Sequence, residues 1–179
     1  MRTAVSNSSP IIYLGKIGRL HLLKELYGEV IVPEAVWREL IRPLVEAWEE
    51  VPEYVGPLLE ARRAGWIRVE PLRSISSLEL VSELGHLDPG EREAIALALE
   101  KGISIILTND KGAHDEAISR GLNARWFTEI LLDALRKGLI RSVEEFEQVL
   151  REAVRKGLWV SKEVFNRALE SARRAKEGH

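Results

Sequence analysis

Along the chain, short apolar runs alternate with stretches in which apolar residues return every three or four positions. A short run bounded by turn residues predicts a strand, and the longer period predicts a helix packed on one face. The order obtained is a strand over 3–6, a helix pair across 10–27, a strand over 30–32 and a helix from Pro33. After an irregular stretch come a strand over 67–69, a helix over 89–101, a strand over 103–108, a helix around 113–120 and a short strand near 124–127. Strands interleaved with helices need crossover connections, which produce a mainly parallel sheet with helices on both faces. The expected class is α/β, in three α/β/α layers.

Residues 41–88 break the pattern, with Pro43, Pro52 and Pro57 around an acidic stretch and serines between Ser74 and Ser77. This composition predicts helices and loops inserted between sheet strands. Beyond Gly138, Ser142 with Glu145 forms a capping-box pattern, and Ser161 is placed to cap a further helix. The expected organisation is an α/β domain over 1–140 with C-terminal helices over 141–179, either part of one compact unit or an arm toward a partner. Val143, Phe146, Val149, Leu150 and Val154 form the stripe such a contact would use.

Composition narrows the class. The 179 residues are 45% apolar and 30% charged, with a mean hydropathy of -0.12, the profile of a globular chain and not a disordered one. The net charge of -2 and pI near 6.1 exclude a strong overall positive field, so any site for a polyanion is local. Cysteine is absent, which excludes disulfides, thiolate-held zinc, iron–sulfur clusters and thiol catalysis. No apolar run reaches membrane-span length and no signal-peptide pattern opens the chain, so the expected location is the cytoplasm.

In an open parallel sheet, ligands gather beyond the carboxyl ends of the strands. Asn7 follows the first apolar run and Asp110 follows the run at 105–109, so parallel strands put both at one edge. Glu91 shares i, i+3, i+4, i+7, i+8 spacing with Ala94, Ile95, Ala98 and Leu99, in line with a buried stripe. It also completes a capping box with Asp88 ahead of Pro89. Glu39 lies one turn after Val36 at the margin of another apolar face, whereas Glu93 points away from its helix's buried side toward solvent. Carboxylates crowded at one edge repel unless a cation balances them, and oxygen donors without His or Cys suit Mg²⁺ or Mn²⁺. Such a cluster serves phosphodiester hydrolysis.

The segments 6–12, 32–36 with Glu39, 90–98 and 107–110, in that order, resemble the PIN-domain superfamily, most closely its small prokaryotic proteins similar to the toxin ribonucleases of toxin–antitoxin pairs. The resemblance spans roughly residues 3–140 and implies a metal-dependent endoribonuclease acting on single-stranded RNA. Its metal ligands would be Asn7, Glu39, Glu91 and Asp110, with Asp115 as a fifth. Glu39, Glu91 and Asp110 would be catalytic, and the ion Mg²⁺ or Mn²⁺. The resemblance further implies a homodimer and a small antitoxin protein as partner. PIN nucleases usually carry Asp at the first position, where this chain has Asn7. An amide oxygen coordinates Mg²⁺ but brings no charge and takes no proton from water near neutrality. The alternative expectation is therefore a PIN-like module that binds nucleic acid or protein with weakened hydrolysis.

Neighbouring residues admit supporting roles. Ser8 and Ser9, ahead of Pro10, cap a helix or hold water at the site, and Thr108 and Asn109 hold the first ligands in place. His114 lies one turn past Asp110. The tryptophans 37, 48, 66, 126 and 159 offer stacking faces for bases. Basic pairs at 62–63, 136–137, 155–156 and 173–174 form either a local phosphate track or ordinary solvated helix faces.

Overall fold

The computed structural model describes residues 2–178. Its centre is a five-stranded sheet of β1 (Thr3–Ser6), β2 (Glu29–Pro33), β3 (Ile67–Glu70), β4 (Ile105–Leu107) and β5 (Asn123–Arg125). The order is β3-β2-β1-β4-β5 and every pairing is parallel. Helices α1 (Ser8–Lys16) and α2 (His21–Tyr27) carry the chain from β1 to β2, and α3 (Glu34–Val45) and α4 (Val55–Ala64) carry it on to β3. Helices α5 (Ile75–Glu83) and α6 (Pro89–Lys101) return it across the sheet to β4, and α7 (Lys111–Ser119) leads to β5. Strand order thus reverses between β1 and β4, the kind of crevice in which open parallel sheets hold ligands.

Alternation along the strands separates the two faces. Ala4, Val30, Val32, Ile105 and Leu107 enter one buried cluster, and Val5, Ile31, Ile106 and Ala124 enter the other. The second cluster is covered by α6 and α7 through Ile95, Ala98, Ala113 and Ala117, giving the three-layer α/β/α architecture. Helices α8 (Phe127–Arg136), α9 (Val143–Arg155) and α10 (Lys162–Glu177) lie on the first face. Ser142 and Ser161 accept hydrogen bonds from the amides of Glu145 (3.1 Å) and Val164 (3.2 Å) and so start α9 and α10. Phe146, Val149, Leu150, Ala168 and Leu169 share the core of the first face, so the stripe considered above for partner contact faces the chain's own interior. Of that stripe, Val154 is exposed.

Two strand boundaries differ from the sequence pattern. Gly102, in the left-handed region at φ 66°, closes α6, and the amide of Ile103 turns back to the carbonyl of Ala98. Residue 103 therefore belongs to a helix cap, and β4 starts at Ile105 after Ser104, whose carbonyl already accepts from the amide of Asn123 at 2.7 Å. The segment 124–127 splits, because Glu129 accepts from the amide of Trp126 at 2.9 Å and begins α8. Phe127, Ile130, Leu131, Ala134 and Leu135 then form a buried helical stripe that the reading as a strand passed over.

Candidate functional site

Asn7 closes β1 and starts α1. Its amide N–H donates to the carbonyl of Leu107 on β4 (2.9 Å), which extends the β1–β4 pairing one step beyond the strands. Its side-chain Oδ1 accepts from the amide of Ser8 at 2.9 Å, so Asn7 and not a serine is the cap of α1. Its Nδ2 donates to Thr108 Oγ1 at 3.3 Å. The same hydroxyl oxygen accepts from the amide of Asp110 at 3.2 Å. Asp110 Oδ1 in turn caps α7 by accepting from the amide of Ala113 at 2.8 Å. The switch point between β1 and β4 is thereby tied together by polar side chains, with Asn7 and Thr108 buried and Asp110 at the surface.

The second half of the site comes from α3 and α6. Gly90 is buried in the first turn of α6, and a methyl group there would lie 3.1 Å from Val36 Cγ2, 3.5 Å from Glu39 Oε2 and 3.6 Å from Asn7 Oδ1. The side chains of Glu39 and Asn7 therefore converge over bare backbone. Glu91 follows, with Oε2 accepting from the amide of Asp88 at 3.0 Å, the half of the capping box that holds its carboxylate in place.

Electrostatics link these groups. The Glu91 carboxyl is held above its ordinary value, first by burial and then by the negative charges of Asp110, Asp88 and Glu39, against the opposing effect of the Asp88 amide. Carboxylates from two distant stretches of sequence, together with the neighbouring Asp88, thus act on one side chain. Among the described residues, none of Glu39, Asp88, Glu91 and Asp110 takes part in an ion pair.

Other candidates lie elsewhere. Asp115 is exposed and takes a hydrogen bond from Lys111 Nζ at 2.6 Å, which lowers its carboxyl below the usual range. It is an i, i+4 partner on the surface of α7. Ser8 is buried in the first turn of α1, and Asn109 is half-buried beside Thr108. His114 stacks on Trp126 with ring centroids 4.2 Å apart, one turn from Asp110. Trp37 and Trp66 pack on the first-face core, whereas Trp48 and Trp159 are exposed.

Glu93 corrects the expectation of a solvent-facing residue: its Oε2 accepts from the amide of Ala35 at 3.0 Å in the first turn of α3. The residue before that helix is Pro33, whose side chain has no acceptor, so the orphan amide must find one on another element. That missing cap was the legible signal. The bond holds α6 to α3, and so Gly90 to Glu39. Asp88, read from sequence only as a helix cap, is the other addition to the acidic edge.

The donor set is oxygen throughout, and the bare backbone at Gly90 leaves room between Glu39 and Asn7, so the residues fit a hard divalent cation in kind. As the side chains stand, no group of three or more His, Asp or Glu among the described residues has metal-holding spacing. A parallel three-layer fold with polar groups gathered at its switch point defines an α/β protein of the ligand-at-the-strand-ends class. The family model DUF3368, described as a PIN domain, matches residues 3–174, and the chain belongs to that family. PIN domains are nuclease-like, bind nucleic acid and generally use divalent metal ions. A comparison with curated proteins finds no match. No helix among the described residues is long and apolar enough to cross a membrane.

Proposed function

We propose that the chain is a Mg²⁺- or Mn²⁺-dependent endoribonuclease that hydrolyses single-stranded RNA, of the kind that serves as the toxin of a toxin–antitoxin pair. The observation that carries this reading is the shared field at Glu91: Asp110, Asp88 and Glu39 all raise its carboxyl, and no ion pair among the described residues relieves them. Glu39, Glu91 and Asp110 would hold the ion, with Asn7 Oδ1 as a neutral donor. Bound there, a divalent cation supplies positive charge that acidifies water and offsets the charge building on a phosphodiester.

The chain's own residues account for the rest. Thr108 and the Asn7 amide set the positions of β1 and β4 side by side, and the Asp88 amide orients Glu91 by one of its oxygens. Burial and neighbouring carboxylates raise the Glu91 carboxyl in the metal-free chain, and a cation held there would offset the cost of its charge. The His114–Trp126 stack, beside Asp110, offers a flat aromatic edge for an unpaired base. Asp115, set on the same helix as Asp110, would add charge at the rim once Lys111 releases it.

Asp110→Asn is the direct test. The amide keeps the cap on Ala113 and so the fold. The variant should lose Mn²⁺-dependent cleavage of single-stranded RNA and bind Mn²⁺ at least about tenfold more weakly by calorimetry. Full retained cleavage removes the assignment. A second reading, a PIN-like binding module with weakened hydrolysis, is favoured by Asn7 alone, whose amide is already occupied by Ser8 and Thr108.

The same reading includes a cytoplasmic homodimer and a small antitoxin protein that covers the acidic edge. Light scattering on a sizing column that finds only monomer at micromolar concentration removes the dimer.

A further inference from the structure

A cleft of about 890 Å³ opens at the end of the sheet opposite the acids. Arg2 precedes β1, Tyr27 ends α2 ahead of β2 and Ile105 opens β4, so the cleft belongs to the amino ends of the strands. Its charge is opposite in sign to that of the chain as a whole. Arg125 is balanced by Asp133, to which it donates at 2.7 and 3.1 Å, and by Glu129 at 3.8 Å. Arg136 must share the same Asp133 at 3.3 Å. Lys137 Nζ donates to the backbone carbonyl of Glu25, a neutral partner, and among the described residues no carboxylate pairs with Arg2 or Lys24. The carboxylate of Glu25 is the other negative group on the wall. The excess is cationic.

The second observation is independent of charge. Tyr27 is 5% exposed, and its hydroxyl is buried with no hydrogen-bond partner among the described residues. Buried hydroxyls normally find a partner, and Tyr27 lines the cleft, so a ligand for which a small shift of the ring opens the wall completes the orphan. Burial, followed by the negative charge of Asp133, pushes the phenol well above its ordinary range, so the group stays a donor at neutral pH.

We propose that this cleft binds a terminal phosphate carried on a small organic body, with Arg2, Lys24 and Lys137 balancing the phosphate and the Tyr27 hydroxyl donating to one of its oxygens. A phosphate monoester brings close to two negative charges, which matches several unbalanced cations better than a single carboxylate does. The volume falls in the range of small-molecule sites and far exceeds that of a bare phosphate ion, so the phosphate needs a body to fill it. Such a group occurs on a free mononucleotide or at the 5′ end of an RNA strand. This site is separate from the acidic edge and does not depend on hydrolysis there.

The test is calorimetric titration of the full chain in EDTA, which keeps any metal-dependent cleavage silent. The probes are AMP, adenosine, and one short RNA oligomer with either a 5′-phosphate or a 5′-hydroxyl. Saturable binding of AMP or of the phosphorylated oligomer, without binding of its unphosphorylated counterpart, is expected. AMP alone identifies a free nucleotide, and equal or tighter binding of the phosphorylated oligomer identifies an RNA end. Arg2 and Lys24 are exposed, so Arg2→Gln and Lys24→Gln should fold normally and each weaken binding about tenfold. Tyr27→Phe keeps the ring and should weaken it by a smaller factor. No saturation by either phosphorylated probe up to about 1 mM overturns the proposal. So does wild-type affinity in the Arg2→Gln, Lys24→Gln double variant.

Discussion

Replacing Gly90 by Ala separates stability from metal binding at one atom. The new Cβ would sit 3.1 Å from Val36 Cγ2, a tight contact with a fully buried side chain, and at ordinary contact distance from Glu39 Oε2 (3.5 Å) and Asn7 Oδ1 (3.6 Å). Moving Val36 by a few tenths of an ångström costs on the order of 1 kcal/mol, the low end for overpacking. Ala in place of helical Gly returns about 0.5–1 kcal/mol, partly by restricting the unfolded chain. The two nearly cancel, and a net change within about 1 kcal/mol moves the melting temperature of a chain this size by no more than about 4 °C.

Metal binding has no such compensation, because the methyl group occupies the space between two of the proposed donors. Calorimetric titration should show Mn²⁺ affinity lowered at least about tenfold, the scale of losses when the support of a metal ligand is disturbed. Gly56→Ala, on α4 with nothing within 4 Å of the added atom, is the control and should change stability alone. Wild-type Mn²⁺ affinity in Gly90→Ala, with melting unchanged, would show that Asn7 and Glu39 do not share an ion.

Three further outcomes are expected. Asn7→Asp should keep the cap on Ser8 but lose the amide donor to Thr108 and add charge beside Glu91; the metal-free variant should be less stable by about 1 kcal/mol in urea, and Mn²⁺ should raise its melting temperature more than that of wild type. Glu91 has a raised folded-state carboxyl, so its contribution favours the native state while it is protonated and fades as pH rises through the folded value. Metal-free Glu91→Gln should therefore match or exceed wild-type stability at pH 7, with the advantage shrinking as pH falls toward 4.5, the ordinary value; an advantage that grows on acidification contradicts the crowding. Phe146→Ala, at a fully buried position on α9, should cost about 3–5 kcal/mol in urea denaturation if residues 141–179 fold with the rest of the chain, and under about 1 kcal/mol if α9 is a detachable arm.

The strand order itself was not written in the periodicity, but the class was. Alternating short apolar runs and helical stripes are local properties, and five parallel strands with crossovers follow from them. The helix α8 was missed because Ala124, Trp126 and Phe127 are apolar around a single Arg125, and so short a segment serves strand end and helix start equally. What converted it was a capping contact between Glu129 and Trp126, a side-chain event. Glu91 and Asp110 were legible as residues in register with buried faces or at strand ends. Glu93 was not, because its partner at Ala35 lies far away in sequence and only the packing of α3 on α6 brings them together. Asp115 shows the converse: it lies on the helix that Asp110 caps, but the cation nearest to it claims its carboxylate.

The amide at position 7 sets the balance between building the edge and charging it. Thr108 Oγ1 accepts from both Asn7 Nδ2 and the Asp110 amide, so its own proton is left to donate elsewhere. An aspartate at position 7 would reverse the first of these bonds, with the threonine donating to the carboxylate, and the cap on Ser8 would survive. The geometry of β1 and β4 therefore tolerates either residue. What differs is the field: a carboxylate would join Asp110, Asp88 and Glu39 in raising Glu91, a cost borne by the metal-free fold and returned only when a cation binds. Asparagine lowers that cost by giving up part of the affinity. Melting temperatures of wild type and Asn7→Asp with and without Mn²⁺ measure both sides of the exchange: the two curves should cross as Mn²⁺ is added, and parallel curves would mean that position 7 does not feel the ion.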